Sequence, residues 1–182
     1  RIMLIKEVKA GRPDLNAERN MKEIKVYDFL DKAGIKYMRA DHEAVFNMES
    51  CLEIEKAING KICKNLFLCN RQKTKFYFLI MPGNKKLDVK ALSEQTGLSR
   101  LSFANAEDLK KYLDIEPGSA SILCLINDSG NNVQLLADRE VVAQDYMCCH
   151  PCVNTSTIKI KTEDIIEKIL KKTGHDITVV NL

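Results

Sequence analysis

The residues most able to do chemistry are concentrated in the stretch YMCCHPC, residues 146–152, which contains Cys148, Cys149, His150 and Cys152. A structural zinc site usually takes its four ligands from two separated pairs, and the chain offers no second pair of comparable spacing. The spacing of Cys149 and Cys152 also fits a redox centre, whose reactive thiol sits at a helix N-terminus. The following VNTST is typical of a turn or strand instead. We therefore expect no metal, and we expect cysteines that pack in the core and can be replaced by serine or alanine without abolishing activity.

Lys64 is a second candidate, in the strand-like segment ICKNLFLC. Strand alternation places Lys64 on the same face as Ile62, Leu66 and Leu68. A lysine with apolar neighbours either extends to solvent near the strand end or directs its ammonium into a cavity. The alternation leaves both arrangements open and favours the first.

A third candidate is the segment Gly118-Ser119-Ala120-Ser121. Glycine and small hydroxyl residues that enter an ordered element can present free backbone N–H groups to an anion or oxyanion, although most such segments are plain turns. The chain has no G-x-S-x-G elbow, no P-loop and no G-x-G-x-x-G motif. The other two histidines, His42 and His175, are isolated in the sequence, so no nucleophilic triad can be assembled.

The composition is that of an ordinary globular protein. The chain has 182 residues, of which 45% are hydrophobic and 29% charged, with a formal net charge of +3. A chain of this length buries enough surface to need neither disulfide nor metal, and its charge is too balanced for non-specific coating of nucleic acid. No apolar run approaches the ~20 residues that cross a bilayer, and no secretory signal is present, so we expect a cytoplasmic protein with reduced thiols.

The elements that position these residues follow from apolar periodicity and turn residues. Helices are predicted at about 21–34, 49–58, 87–96, 105–113 and 162–174. Strands are predicted at about 36–40, 62–69, 76–81, 121–126, 133–137 and 177–180, with 62–69 and 76–81 forming a hairpin. Residues 1–20 show no clear apolar period and are expected to be a leader or tail outside the fold. The pattern predicts a single α+β domain over residues 21–182, with a mixed β-sheet and flanking helices.

Taken in order, several fragments resemble the YbaK/ProX type of aminoacyl-tRNA deacylases, which is related to the editing domain of bacterial prolyl-tRNA synthetases. The fragments are KNLFL (64–68), LDVK (87–90), LSFA (101–104), GS (118–119) with LIND (125–128), HP (150–151) with NTST (154–157), and TGH (173–175). The resemblance covers nearly the whole chain from Met21. The KNLFL form is most similar to the ProX branch, which clears alanine wrongly attached to proline tRNA.

The resemblance implies roles for individual residues. Lys64 matches the essential lysine that engages the tRNA 3′ end and the ester. Gly118 matches the glycine of a G-x-x-x-P loop that holds the terminal aminoacyl-adenosine, and His150 matches a histidine of the same site. The loop proline of the family is replaced here by Ile122. The substrate-binding residues implied in this way are Asn65, Ser119, Ala120, Ser121, Ile122 and His150.

The expected function is hydrolysis of Ala-tRNA(Pro) in trans, without a cofactor. Basic residues are candidates for contacts with tRNA phosphates, although solvated surface lysines are more common; these are Lys73, Lys75, Lys85, Lys86 and Lys90. A close alternative is deacylation of Cys-tRNA(Pro) or another small aminoacyl-tRNA. A non-catalytic module that binds tRNA or an amino acid is an alternative from another class, and a metal-binding module is the last.

Overall fold

The computed structural model describes residues 4–14 and 18–182, and in these residues two β-sheets carry the helices on their faces. The strands are β1 (Ile5–Ala10), β2 (Tyr37–His42), β3 (Cys63–Cys69), β4 (Phe76–Pro82), β5 (Ser102–Phe103), β6 (Val133–Asp138), β7 (Tyr146–Cys149), β8 (Ser156–Lys161) and β9 (Ile177–Val180). The α-helices are α1 (Met21–Lys32), α2 (Met48–Ile58), α3 (Val89–Thr96), α4 (Ala106–Leu113), α5 (Arg139–Val142), α6 (Thr162–Asp164) and α7 (Leu170–Thr173). A 3-10 helix (Ile122–Asn127) follows α4, and a π-helical turn (Ile165–Ile169) joins α6 to α7.

The two sheets differ in strand direction. One is a four-stranded antiparallel sheet in the order β1-β2-β8-β7, and the other is a five-stranded mixed sheet in the order β5-β3-β4-β6-β9. In the mixed sheet β3 and β4 form the expected antiparallel hairpin, whereas β6 runs parallel to both β4 and β9. An isolated bridge between Ile62 and Cys148 connects the start of β3 to β7, so the two sheets meet there.

The main core lies between the sheets and under α1. It includes Tyr37 and Ile158 from the antiparallel sheet, Phe78 and Leu135 from the mixed sheet, and Leu30 from α1. Two smaller clusters pack α2 against the antiparallel sheet and α3 against the mixed sheet. Burial of apolar surface on both faces of each sheet therefore holds the elements together.

The predicted fold class, a single α+β domain, is confirmed, with two sheets where one was predicted. The helices near 21–34, 49–58, 87–96 and 105–113 are present, and the last of these begins with a capping box between Asn105 and Asp108. The strands near 36–40, 62–69, 76–81, 133–137 and 177–180 are present as well. The sequence did not predict β1, β5, α5, β7 or β8.

The predicted strand over residues 121–126 is wrong, because residues 122–127 form the 3-10 helix. An apolar run that is buried on all sides has no periodicity that separates strand from helix. Ser121 decides the outcome locally, since its side chain accepts the Leu123 N–H as an N-cap. With no strand here, β6 pairs with β4 and β9 instead of returning in a hairpin.

The expectation that residues 1–20 lie outside the fold also needs correction. Residues 5–10 form β1, which pairs with β2 at the edge of the antiparallel sheet. Further along, Arg19 donates two hydrogen bonds to Asp41, at 3.0 and 2.8 Å. This segment is held by backbone pairing and charge rather than by an apolar stripe, which is why hydrophobic periodicity did not reveal it. Residues 1–3 and 15–17 lie outside the described residues.

Among the described residues, no helix is long and apolar enough to cross a membrane.

Candidate active site

The loop before the 3-10 helix contains a β-turn formed by Glu116, Pro117, Gly118 and Ser119. The Ser119 N–H donates to the Glu116 carbonyl at 3.2 Å, and Gly118 has a φ of 88°. Proline at the second position and a positive-φ glycine at the third are features of a type II turn. A Cβ atom added at Gly118 would lie 3.7 Å from the Asn154 side-chain nitrogen. The turn therefore lies beside the loop that contains Asn154.

Ser121 joins this turn to His150. Its hydroxyl donates to the His150 carbonyl at 2.6 Å, in addition to capping the 3-10 helix. Ser119 and Ser121 are buried and Ala120 is half-buried. The structure thus brings the Gly118 turn and His150, which are far apart in the sequence, into one place.

Ile122 occupies the first position of the 3-10 helix, and its side chain is buried in the main core. It contributes packing behind the turn rather than a surface facing a substrate. The residue before it, Ser121, has an extended backbone with φ −158° and ψ 171°. This is the backbone environment in which a proline fits as the first residue of a helix.

The His150 ring is fixed by two neighbours. Its Nδ1 lies 2.9 Å from the Ser156 carbonyl oxygen and 3.2 Å from the Thr157 hydroxyl. Because a carbonyl oxygen only accepts, Nδ1 carries the proton in the neutral ring, and Nε2 carries the lone pair. Burial lowers the pKa of His150 to about 4, so the ring is neutral near pH 7. Among the described residues Nε2 has no hydrogen-bond partner, and it is not a fully buried atom.

His42, which the sequence presents as isolated, lies beside His150. The two ring centroids are 6.1 Å apart, and His42 Nε2 is 2.9 Å from the Thr157 hydroxyl oxygen. His42 Nδ1 lies 2.7 Å from the Glu43 carbonyl oxygen. The pairing of β2 with β8 brings these residues together, with Ala40 opposite Thr157. No local motif signals this contact, so only a correct strand pairing could have revealed it.

A charged network supports the same strands from the other face. Asp41 accepts a hydrogen bond from the Ser156 hydroxyl at 2.7 Å and from both Arg19 and Arg39. Burial acts to raise the pKa of Asp41, but the hydrogen bonds from Arg19, Ser156 and Arg39 outweigh it and lower this pKa to about 2. The Asp41 carboxylate is therefore charged at neutral pH and holds Ser156, whose carbonyl faces the His150 ring.

Lys64 is half-buried near the start of β3, and its ammonium donates to the Lys85 carbonyl oxygen at 2.5 Å. This partner is a neutral carbonyl, and within the described part of the chain the Lys64 ammonium forms no ion pair, so its charge is not neutralised. Asn65, on the opposite face of the strand, donates to the Cys63 carbonyl. The structure shows no direct contact between the Lys64 side chain and the Gly118 turn or His150. The backbone bridge between Ile62 and Cys148 connects their neighbourhoods, because Ile62 lies two residues before Lys64 and Cys148 lies two residues before His150.

The five basic residues suggested for tRNA contact are not equivalent. Lys73, Lys75, Lys86 and Lys90 are exposed, with Lys73 at 3.6 Å from Asp108 and Lys90 at 4.0 Å from Glu94. The Lys85 ammonium instead contacts Asp138, Glu140 and the Leu182 carbonyl oxygen, at 3.1, 3.0 and 2.7 Å. Lys85 is thus engaged within the protein, and its carbonyl is the group that anchors Lys64.

All seven cysteines are buried free thiols. Burial raises the pKa of Cys148 to about 12 and that of Cys149 well above its ordinary value, which disfavours the reactive thiolate. The Cys152 sulfur lies 3.4 Å from the Cys124 sulfur in the main core. No group of three His, Cys, Asp or Glu side chains suited to a metal ion occurs within residues 4–14 and 18–182. The geometry favours the interpretation of these cysteines as packing residues.

Comparisons with known proteins point in one direction. A model of the aminoacyl-tRNA editing domain matches residues 42–168. The prolyl-tRNA editing protein ProX of Acetoanaerobium sticklandii is 31% identical over 153 residues, which cover 84% of this chain and 93% of that protein. Prolyl-tRNA synthetase associated domain-containing protein 1 of Xenopus laevis is 26% identical, over 84% of this chain and 92% of that protein.

Solved structures agree on the fold. A crystal structure of a protein proposed as a trans-editing enzyme for prolyl-tRNA synthetase superimposes with a TM-score of 0.64, covering 91% of this chain and 99% of that one at 13% identity. The hypothetical protein APE2540 gives a TM-score of 0.62 at 14% identity, covering 87% and 98%. At such low identity these two matches concern the fold alone.

Proposed function

Since this chain belongs to the aminoacyl-tRNA editing domain family and is an aminoacyl-tRNA deacylase, we propose that it acts in trans on mischarged tRNA(Pro) and removes alanine. The substrate is an ester between the amino acid and the terminal ribose. Water attacks the ester carbonyl, the bond to the ribose oxygen breaks, and free alanine and tRNA are released. The proposed reaction uses no cofactor and takes place in the cytoplasm.

The observation that carries this proposal is the joining of the Gly118 turn to His150 by the Ser121 hydroxyl. The turn has a positive-φ glycine, and the His150 ring is a neutral imidazole whose Nε2 lone pair is available; both support the proposal. A turn of this kind can present backbone N–H groups to an oxyanion, and the imidazole can accept a hydrogen bond from the attacking water. Together they supply the two polar functions that ester hydrolysis requires.

An aminoacyl ester is already activated, so no covalent nucleophile is needed. The buried thiols with raised pKa values are unsuited to that role in any case. In our proposal the uncompensated charge of Lys64 binds a phosphate of the tRNA 3′ end or the developing oxyanion. Asn65, Ser119, Ala120 and Ser121 line the substrate site, while Ile122 packs behind it.

In this proposal the enzyme selects alanine by excluding larger side chains. An apolar pocket discriminates more strongly against a side chain that is too large to fit than against one that is smaller than the pocket. The exposed Lys73, Lys75, Lys86 and Lys90 are the proposed contacts to tRNA phosphates. Lys85 is not among these contacts, since its ammonium is already paired with Asp138 and Glu140. Its carbonyl oxygen holds the Lys64 ammonium instead.

A side-by-side panel of charged tRNAs tests the substrate. Ala-tRNA(Pro) and Cys-tRNA(Pro) are compared with Pro-tRNA(Pro) and Ala-tRNA(Ala), each at the same enzyme concentration. We expect fast hydrolysis of Ala-tRNA(Pro) alone. Faster release of cysteine would transfer the proposal to Cys-tRNA(Pro), equal loss from both alanyl-tRNAs would remove the tRNA(Pro) preference, and no hydrolysis of any substrate would refute the proposed function.

A further inference from the structure

We infer that His42 is a positioning residue. It accepts a hydrogen bond from the Thr157 hydroxyl and thereby favours the His150 tautomer in which the lone pair of His150 Nε2 is available. The inference rests on the proposed function, in which that lone pair orients the attacking water. It concerns a histidine that contacts no part of the Gly118 turn and lies at the end of β2.

The first step is the tautomer of His42. Its Nδ1 is 2.7 Å from the Glu43 carbonyl oxygen, and a carbonyl oxygen can only accept. In the neutral ring Nδ1 is therefore protonated and Nε2 is an acceptor. The ring is 1% exposed, and its burial lowers the pKa of His42, which supports the neutral form.

The second step is the direction of the Thr157 hydroxyl. This side chain is fully buried, and its oxygen lies 2.9 Å from His42 Nε2 and 3.2 Å from His150 Nδ1. These ring nitrogens are the two partners of the hydroxyl among the described residues. Since His42 Nε2 is an acceptor at the shorter distance, the hydroxyl donates to His42 and turns its lone pairs towards His150.

The third step concerns His150. With the Thr157 proton committed to His42, His150 Nδ1–H faces two acceptors, the Ser156 carbonyl and the Thr157 oxygen, at 2.9 and 3.2 Å. Without the His42 acceptor, the buried hydroxyl has only His150 Nδ1 left as a partner. A buried donor without an acceptor is costly, and this cost acts on the tautomer equilibrium of His150. The hydroxyl proton of Thr157 then competes with the Ser156 carbonyl for His150 Nδ1. The fraction of rings that carry the proton on Nε2, and so present a donor in place of an acceptor, therefore rises.

A mutant cycle separates this role from simple packing. His42→Leu removes the acceptor while it retains most of the volume, and it is expected to lower kcat on the preferred aminoacyl-tRNA by about 10- to 100-fold with little change in KM. His42→Gln places an amide oxygen near the former Nε2 and is expected to restore most of the rate.

The decisive variant combines His42→Leu with Thr157→Val. Thr157→Val is nearly isosteric and deletes the competing hydroxyl, so His150 Nδ1–H keeps its bond to the Ser156 carbonyl. The single Thr157→Val variant should lose less activity than His42→Leu, and the double variant should be more active than His42→Leu alone. A structural role for His42 would instead make the double variant worse, since two buried contacts would be lost.

Long-range proton–nitrogen correlation spectra of labelled protein report the tautomer directly, because protonated and unprotonated ring nitrogens resonate far apart. We expect a protonated His150 Nδ1 in the wild type and in the double variant, and a shift towards protonated Nε2 in His42→Leu. An unchanged tautomer and rate in His42→Leu would overturn the inference. If the wild type hydrolyses no aminoacyl-tRNA, the proposed function fails, while the spectra still decide the tautomer relationship.

Discussion

Burial changes the protonation state of His150. A histidine in water is half protonated near pH 6.5, but burial lowers the pKa of His150 to about 4. The imidazole therefore stays neutral near pH 7. A neutral ring with a fixed tautomer can accept a hydrogen bond from water, which an imidazolium cannot do.

This shift predicts a pH-dependent stability. Above pH 7 the ring is neutral in both folded and unfolded states, so its contribution is constant. Below pH 6.5 the unfolded chain takes up a proton that the folded protein refuses until about pH 4. Stability should therefore fall across this window, by up to about 3 kcal/mol from His150.

Urea unfolding of the wild type and of His150→Gln between pH 7.5 and 4.5 checks the prediction. The free energy of unfolding should depend less steeply on pH in the variant than in the wild type, because the contribution of His150 is absent. The contribution of the neighbouring His42 should remain. A nuclear magnetic resonance titration in which His150 titrates near pH 6.5 would contradict it.

Single residues differed in how far the sequence could place them. Alternation in ICKNLFLC put Lys64 on an apolar face, and the structure finds it half-buried with its ammonium at a backbone carbonyl. The family resemblance singled out Gly118 and His150, and in the structure Ser121, three residues after Gly118, donates to the His150 carbonyl. His42 could not be placed, because its contact with Thr157 depends on the pairing of two distant strands.

At the scale of elements, the 3-10 helix after the Gly118 turn is a segment whose secondary structure could not be predicted from its hydrophobic pattern. The segment ILCLIN has strand-like composition, yet Ser121 caps it as a helix and the core surrounds it. Elements with a distinctive end signal were predicted well, such as α4 with its Asn105 cap. The short β5 and β7 have no such signal and form only because neighbouring strands pair with them.

This element also explains how the chain tolerates Ile122 where the family has proline. Ile122 is the first residue of the 3-10 helix, its N–H has no backbone acceptor among the described residues, and Ser121 before it is extended. Ile122→Pro should therefore keep the fold. The lost packing of about 1 kcal/mol is partly offset by the stiffer unfolded chain, so the free energy of unfolding should change by less than about 1.5 kcal/mol.

Leu123→Pro is the matched control for that variant. The Leu123 N–H donates to the Ser121 hydroxyl, so proline at this position removes a donor and clashes within the helical turn. Its cost should be about 3 kcal/mol or more. Chemical denaturation and deacylation assays on both variants make the comparison, and equal losses of stability would contradict the placement of the helix start.

At the scale of the whole molecule, residues 5–10 are part of the antiparallel sheet, and Arg19 is also held by it. The attachment is polar: β1 pairs with β2, Glu7 contacts the buried Arg39, and Arg19 contacts Asp41. Asp41 in turn holds Ser156, next to the His150 site. The order of local elements followed from the sequence, but the division into two sheets and this polar attachment depend on contacts across the chain.

Arg19→Ala tests the attachment. Asp41 would keep its bonds from Arg39 and Ser156 but lose two charged hydrogen bonds, so unfolding should become easier by about 1–3 kcal/mol. The control is Arg71→Ala, an exposed arginine in the turn after β3. Urea denaturation compares the two variants, and similar stabilities would show that the contact between Arg19 and Asp41 adds nothing to the fold.

The most direct test of our central claim, ester hydrolysis that depends on the unneutralised charge of Lys64, is single-turnover deacylation of Ala-tRNA(Pro) by the wild type and by Lys64→Ala. Loss of a positioned cation should lower the rate by about 100-fold or more while the circular dichroism spectrum stays unchanged. Lys56→Ala, which removes an exposed lysine of α2 outside the proposed tRNA contacts, should stay within a few-fold of the wild type. Hydrolysis by Lys64→Ala at the wild-type rate would contradict the account.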